Sequence, residues 1–464
     1  MARTRKRGAE RVTHPQWSSS WIFVLAASGA AIGLKNIWQF PFLIDTYGGG
    51  AFIVVYALCV LLVGVPLFTA EALLGRCGRK SPVNSLRLLA ERSGRARHWG
   101  LLGWIGVTAG FLILSSLSVL AGWIIAYAVR AATGVLAGLT ADGVDSLFRT
   151  FVNDPEKQLF WHSLFMLMTV AVVARGVKAG LEPFIKYAVP ALFALLIVLL
   201  IYAAGAGEFG QAAMRLLHPD FTRVTRMGVI AALGYAFFSL SLGVGAMLTY
   251  GAYLPDKASI PKLSLAVVAI DTLAGIVGGL VVIAIVLSGS GEPASRPELL
   301  FETLPVTLDQ LPWGRVMCTL LFVALLLAAW LSAIALIEPL VAWMVESVRV
   351  SRLSATIICG VGAWFLGIVT VLSFNYWRFS FKFFGTLKTL GSFDFLQILT
   401  SGFLLPLSGI LIALFAGWVL QPELTRAGFN ARSPCTYDVW LWSVRVVTPA
   451  LMLIVLFNVH SLFL

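Results

Sequence analysis

The stretch WIFVLAASGAAIGLKNIWQFPFLIDTYGGGAF, residues 21–52, decides the fold. It begins as a membrane helix should, apolar for several turns, and then meets Gly29-Ala30-Ala31-Ile32-Gly33, where small residues and two glycines weaken the helical ladder in mid-bilayer. A helix broken there bares carbonyls and amides. Such groups are costly in hydrocarbon unless something polar fills the gap, so a break followed by Lys35 and Asn36 reads as a small-molecule and ion site. The alternative is a tight helix crossing through the GxxxG of Gly29 and Gly33, but packing alone does not account for a lysine and an asparagine inside the membrane.

Composition gives the class. The chain has 464 residues, 59% of them hydrophobic and 12% charged, with a mean hydropathy of +0.89, far from soluble domains. This is the pattern of an integral membrane protein, and the bilayer is its expected surroundings. The net charge of +12 is spread between apolar spans as membrane topology requires, which points to orientation and not to a nucleic-acid partner. The five cysteines show no CxxC pair and read as packing residues, and nothing resembles a cleavable signal.

A basic tail (Arg3, Arg5, Lys6, Arg7, Arg11) places the N-terminus in the cytoplasm, so the first span runs outward. The second span, about 51–74, returns to a second basic cluster between residues 76 and 97. Further spans are expected at about 101–132, 159–174, 184–204, 228–253, 263–287, 316–343, 355–372, 393–420 and 437–463, eleven in all, with the C-terminus outside a cell inner (plasma) membrane. The weakest boundary is 374–392, whose Arg378, Lys382 and Lys388 lie outside against the positive-inside tendency. The sixth span carries FSLSLGVG at residues 238–245, a second interruption by serines and glycines. Two interrupted helices half a ten-span core apart are what an inverted repeat predicts: an all-α polytopic single domain over 1–464, with repeats at 18–205 and 228–420, an additional span at 437–464, and the site between the breaks.

Two carboxylates lie deep in spans. Glu71 is expected to accept amides freed by the breaks, and Asp271 to bind a cation, since Asn36 and Ser239 can supply further oxygens. The histidines have no HxxxH or HxxE spacing, so no metal hydrolase is indicated; the absence of GxxxxGK[ST] argues against an ATP-driven pump.

The runs GAAIGLKNIWQFP, YGGGAF, PLFTAEALLGR, AFFSLSLGVGAMLTYGAYL and AIALIEPLVAW, in this order along essentially the whole chain, resemble the neurotransmitter:sodium symporter family, especially its eleven-span bacterial members. The resemblance implies the five-plus-five inverted-repeat fold typified by the bacterial leucine transporter. It places a first sodium at the carbonyl of Ala31 with Asn36, Ser239 and Asp271. A second, weaker sodium site would use the carbonyls of Gly29, Ile32 and Ala328 with the hydroxyl of Ser332; the usual threonine is replaced by Leu331. The implied substrate pocket is Ala31, Leu34, Ile113, Leu117, Phe238, Ser239, Ser241, Val244, Ser332 and Leu336, with Lys35 at its edge. Chloride-dependent relatives have a neutral residue where Asp271 stands, so no chloride requirement is expected.

Departures cluster in the same region. The tyrosine that holds the substrate carboxylate in relatives is Leu117 here, the glycine before Asn36 is Lys35, and the outer-gate arginine is Gln39, although its partner Asp394 remains. Phe238 also belongs to that gate. At the inner gate Trp17, Tyr253 and Glu346 match the family, with His14 in place of an arginine. Lys35 is expected either to reach Asp394 or to point into the pocket and favour an acidic solute. The expectation is a sodium-coupled, chloride-independent symporter of an amino acid or related small solute, not an enzyme. The alternatives are a proton-coupled or sodium-independent carrier in which Lys35 replaces a cation, or a transport-inactive membrane sensor. Oligomeric state is not legible.

Overall fold

The computed structural model describes residues 15–256, 258–289, 299–374, 376–383, 386–430 and 434–459. Nine helices in it are long and apolar enough to cross a bilayer unaided: Gly50–Gly78, Arg97–Thr133, Pro155–Ala174, Val177–Ala206, Ile260–Ser288, Gly314–Val348, Arg352–Ser373, Ser392–Val419 and Cys435–Phe457. A tenth crossing is the bent pair Ser20–Ala31 and Lys35–Thr46, whose axes diverge by 66°. The eleventh is divided between Arg226–Phe238 and Ala246–Ala252, neither half long enough to cross alone. Eleven crossings follow, and the two broken ones are those in which the sequence places small residues and serines. Each expected span has its helix, usually extended by a few polar residues at the ends.

Helices whose backbones approach this closely need small residues, because lipid offers no hydrophobic gain for bringing helices together. A Cβ on Gly75 would lie 1.9 Å from the Leu248 carbonyl oxygen, and one on Gly251 would lie 2.4 Å from that of Ala72. These reciprocal contacts fuse the second span to the short inner half of the sixth. The second span also takes a π-helical turn at Val60–Gly64, just before Pro66, where Gly64 lies against Leu240 of the sixth-span break.

The chain departs from an all-helical reading at the weak boundary. Arg378–Phe383 and Thr386–Gly391 pair as an antiparallel hairpin, Arg378 opposite Gly391, and the tenth span begins at once after it. At the same end, the turn at Gly48–Gly50 exchanges backbone hydrogen bonds with residues 218–220: the Asp220 amide donates to the Gly48 carbonyl at 3.0 Å and the Gly50 amide to that of His218 at 3.0 Å. The eleventh helix is described to Phe457, and residues 460–463 of the expected span lie outside the described residues.

Candidate functional site

The site forms where the two broken helices face each other. The inner half of the first span stops at Ala31, and the outer half restarts at Lys35 with the Asn36 amide donating to the Gly33 carbonyl at 3.2 Å. The sixth span stops at Phe238, and its path to Ala246 runs through left-handed backbone at Ser241 (φ 50°), Gly243 (φ 81°) and Gly245 (φ 79°). Glycine meets that demand freely; Ser241 does so at a steric cost and uses its hydroxyl to bridge the breaks, donating to the Ala30 carbonyl at 2.8 Å. Ser332 adds a longer contact to the same oxygen, at 3.5 Å. The freed Gly243 backbone is satisfied on both sides: its amide donates to Glu71 Oε1 at 2.6 Å, and its carbonyl accepts from Ser408 Oγ at 2.8 Å. Glu71 thus serves the break in the sixth span, while none of its hydrogen bonds goes to the first.

Beside the first break, Asn36 Nδ2 donates to Asp271 Oδ1 at 2.7 Å, and both side chains are buried. The Tyr235 hydroxyl donates to Asn36 Oδ1 at 3.0 Å, the Tyr56 and Ser239 hydroxyls lie 3.3 Å apart, and Ser239 adjoins the Asp271 carboxylate. The other carboxylate oxygen, Asp271 Oδ2, is buried without a hydrogen-bond partner. A buried carboxylate oxygen with no donor, ringed by amide and hydroxyl oxygens, is what a hard cation such as sodium can occupy. The structure thus brings Asn36, Ser239 and Asp271 together, with Ala31 closing the helix beside them. Sequence reasoning missed Tyr56 and Tyr235, which orient this cluster while Phe40 lies 4.8 Å from each ring. A lone tyrosine in an apolar helix carries no spacing signal that separates such a role from plain packing.

The residues expected at a second sodium site are less favourably arranged. A Cβ on Gly29 would meet Leu331 methyls at 3.2 Å and Val189 at 2.9 Å, so hydrocarbon stands where relatives offer a hydroxyl. Ile32 and Ala328 are buried, and the Ser332 hydroxyl already contacts the Ala30 carbonyl.

Of the expected pocket residues, Val244 and Leu336 both face Gly110 of the third span, 3.3 and 3.6 Å from where its Cβ would be. Leu34 is buried, whereas Lys35, Ile113, Leu117, Phe238, Ser241 and Ser332 keep part of their surface open. Gln39 is partly open too. These positions are the ones expected to line the solute cleft between the two breaks.

The opposite end is sealed. Trp17 donates from its indole to the Tyr250 carbonyl at 3.1 Å and from its amide to the Tyr253 carbonyl at 2.8 Å, and its ring meets both tyrosine rings edge-on at 5.6 Å. The Tyr253 hydroxyl donates to Glu338 Oε1 at 2.8 Å, and Glu338 also pairs with Arg352 at 2.6 Å. Glu346 accepts from the Ser81 amide at 2.8 Å, the Ser81 hydroxyl at 2.7 Å and Asn84 at 2.9 Å, tying the start of a loop helix to the end of the eighth span. His14 lies outside the described residues. Glu338 stood in the quoted AIALIEPLVAW run, but an acid before a proline gives no indication of its partner.

At the outer gate, Asp394 accepts from the Gly391 amide at 3.0 Å and caps its own helix, and among the described residues no ion pair joins it to Lys35.

A sequence model described as "Sodium:neurotransmitter symporter family" matches residues 14–142 and 155–462. The chain is 36% identical to the sodium-dependent transporter YhdH of Bacillus subtilis over 447 residues, 96% of this chain and 97% of that one. It is 27% identical to a sodium-dependent transporter of Haemophilus influenzae, covering 95% and 96% of the two chains. Among solved structures, MhsT in complex with L-phenylalanine superposes with a TM-score of 0.85 at 36% identity, covering 96% of this chain and 99% of that one.

Proposed function

The chain belongs to the sodium:neurotransmitter symporter family, whose fold is that of secondary transporters and not of enzymes, and we propose that it carries an amino acid or related small solute by sodium symport without chloride. The observation that carries this reading is the buried Asp271 carboxylate at the break, one oxygen held by Asn36 at 2.7 Å and the other without a donor. Sodium bound there would complete the shell of Asp271, Asn36, Ser239 and the Ala31 carbonyl. The carboxylate then offsets the ion's charge, which removes the need for a companion anion. An amino-acid-sized solute is supported by the phenylalanine complex of MhsT.

Alternating access fits the asymmetry of the two ends. Trp17, Tyr250 and Tyr253 close the end that the basic clusters assign to the cytoplasm, while the positions expected to line the pocket stay partly open. Ion binding that ties the first span's outer half to the seventh favours this outward-facing arrangement, and solute then permits closure over the cleft. The test is uptake into proteoliposomes driven by a sodium gradient, with chloride replaced by gluconate. Uptake should survive chloride removal, and Asp271→Asn should weaken sodium activation at least tenfold or make it chloride-dependent. Wild-type binding and uptake indifferent to sodium would overturn the reading and favour the carrier in which Lys35 stands in for the cation.

A further inference from the structure

We infer that the solute carried by this protein is a net anion whose acidic group is held by Lys35. This deepens the symport reading above and rests on it. Lys35 opens the helix that follows the first break, directly before Asn36, and is only partly exposed. Among the described residues no acceptor and no charged side chain partners its ammonium. The one acid expected to do so, Asp394, is occupied with the Gly391 amide at 3.0 Å. Gln39 lies one helical turn further along the same face, is likewise partly open, and its side chain makes no hydrogen bond among the described residues. An ammonium therefore stands without an acceptor, and Ile113, Leu117 and Phe238, the apolar residues expected in the same pocket, carry none. Such a cleft calls for a ligand rich in acceptors.

Charge balance leads to the same class independently. Asp271 is the one carboxylate among the residues expected to ligate sodium, and a single sodium is taken with it. When the cleft closes, Asp271, one sodium and Lys35 are buried together, with charges of minus one, plus one and plus one. Glu71 does not enter this sum, since it is wholly buried behind the sixth-span break on the Gly243 amide and does not face the cleft. A neutral or zwitterionic solute would leave an uncompensated positive charge in a low-dielectric interior, whereas a solute of net charge minus one brings the occluded site to zero. The same sum makes transport of one sodium with one such anion electroneutral.

The experiment uses the full-length protein, in detergent for thermal shift and in proteoliposomes for uptake, with L-glutamate, L-aspartate and succinate set against L-leucine and L-phenylalanine. The expected result is that sodium raises the unfolding temperature and an acidic solute raises it further. Lys35→Gln should weaken acidic-solute binding roughly 10- to 100-fold while keeping the sodium shift, and Lys35→Arg should retain most of it. Uptake of the acid should not respond to an imposed potassium diffusion potential. The inference falls if no acidic solute shifts the unfolding temperature, if Lys35→Gln leaves acid affinity unchanged, or if a neutral amino acid is accumulated in response to membrane potential. A retained sodium shift with any of these leaves symport standing and removes only the anionic solute; loss of the sodium response in the wild type removes the symport reading itself.

Discussion

Replacing Glu71 separates a structural carboxylate from an ion-binding one. Its Oε1 accepts the Gly243 amide at 2.6 Å, the side chain is fully buried, and Ser408 secures the other side of the same peptide region at 2.8 Å. Glu71→Ala removes the sole acceptor found for that amide and leaves a void beside the break. An orphaned buried donor costs about 1–3 kcal/mol, and partial collapse of the void adds to this, so a loss of about 2–4 kcal/mol is expected. Glu71→Gln keeps both the volume and a carbonyl oxygen within reach of Gly243, and should cost less than about 1 kcal/mol. Unfolding in mixed micelles titrated with sodium dodecyl sulfate would measure both variants, and sodium-driven uptake would follow the same order. If Glu71→Gln proved as damaging as Glu71→Ala, the negative charge itself would be required, and the capping account would give way to an ion at this position.

The buried pair at the sealed end makes a second prediction. Arg352→Gln strands Glu338, which has no exposed surface, and should cost about 3–5 kcal/mol, while replacing both by leucine should recover most of the loss in a double-mutant cycle. Gly251→Val places a side chain where even a Cβ would lie 2.4 Å from the Ala72 carbonyl oxygen, so it should lower the unfolding temperature sharply and abolish uptake. Outside the membrane, Asp154 caps the fourth span, accepting the Lys157 amide at 3.1 Å; the Lys157 side chain and then that amide hold its carboxyl below the usual range. A depressed acid contributes fully above the ordinary carboxylate range, and its contribution is lost as pH falls through the lowered value. Asp154→Asn should therefore flatten the acid limb of thermal stability, measured between neutral pH and about pH 3, the region where carboxylates titrate.

The backbone of this protein is far more legible in its sequence than the pairing of its side chains. Crossings are announced by long apolar runs, and both breaks by local composition: Gly29 and Gly33 in the first span, and Ser241, Gly243 and Gly245 in the sixth, the last three all in left-handed backbone. These are short-range properties, fixed by what a peptide can do in hydrocarbon. The carboxylates are equally visible as anomalies, but their partners are not. Asp271 finds Asn36 across 235 positions and Tyr253 finds Glu338 across 85, and nothing in local pattern distinguishes Glu338 from Glu346 as the acceptor. The hairpin at 378–391 escaped notice for a related reason: its six-residue strands sit between two strongly apolar helices, whose signal dominates that part of the chain.

The same contacts indicate how an ion at Asp271 could influence a gate on the other side of the protein. The outer half of the first span meets the seventh through Asn36, and its inner half is tied to the sixth-span break through Ser241 and the Ala30 carbonyl at 2.8 Å. The inner half of the sixth span cannot slide freely, because Gly75 and Gly251 set its backbone against the second span. Trp17, just before the first span, is bonded to Tyr250 and Tyr253 within and at the end of that same inner half, and Tyr253 reaches the Glu338–Arg352 pair. Opening the sealed end therefore requires the inner half of the first span to part from a block made of the second span and the inner sixth. The contacts it must break include the two Trp17 hydrogen bonds, the edge-on ring contacts of Trp17 with Tyr250 and Tyr253 and of Phe23 with Phe68, and the Ser241 bridge. A bridge that joins the two breaks beside the ion site, and whose rupture frees the gate, gives sodium a physical route to that gate without any distortion of the packed spans between them.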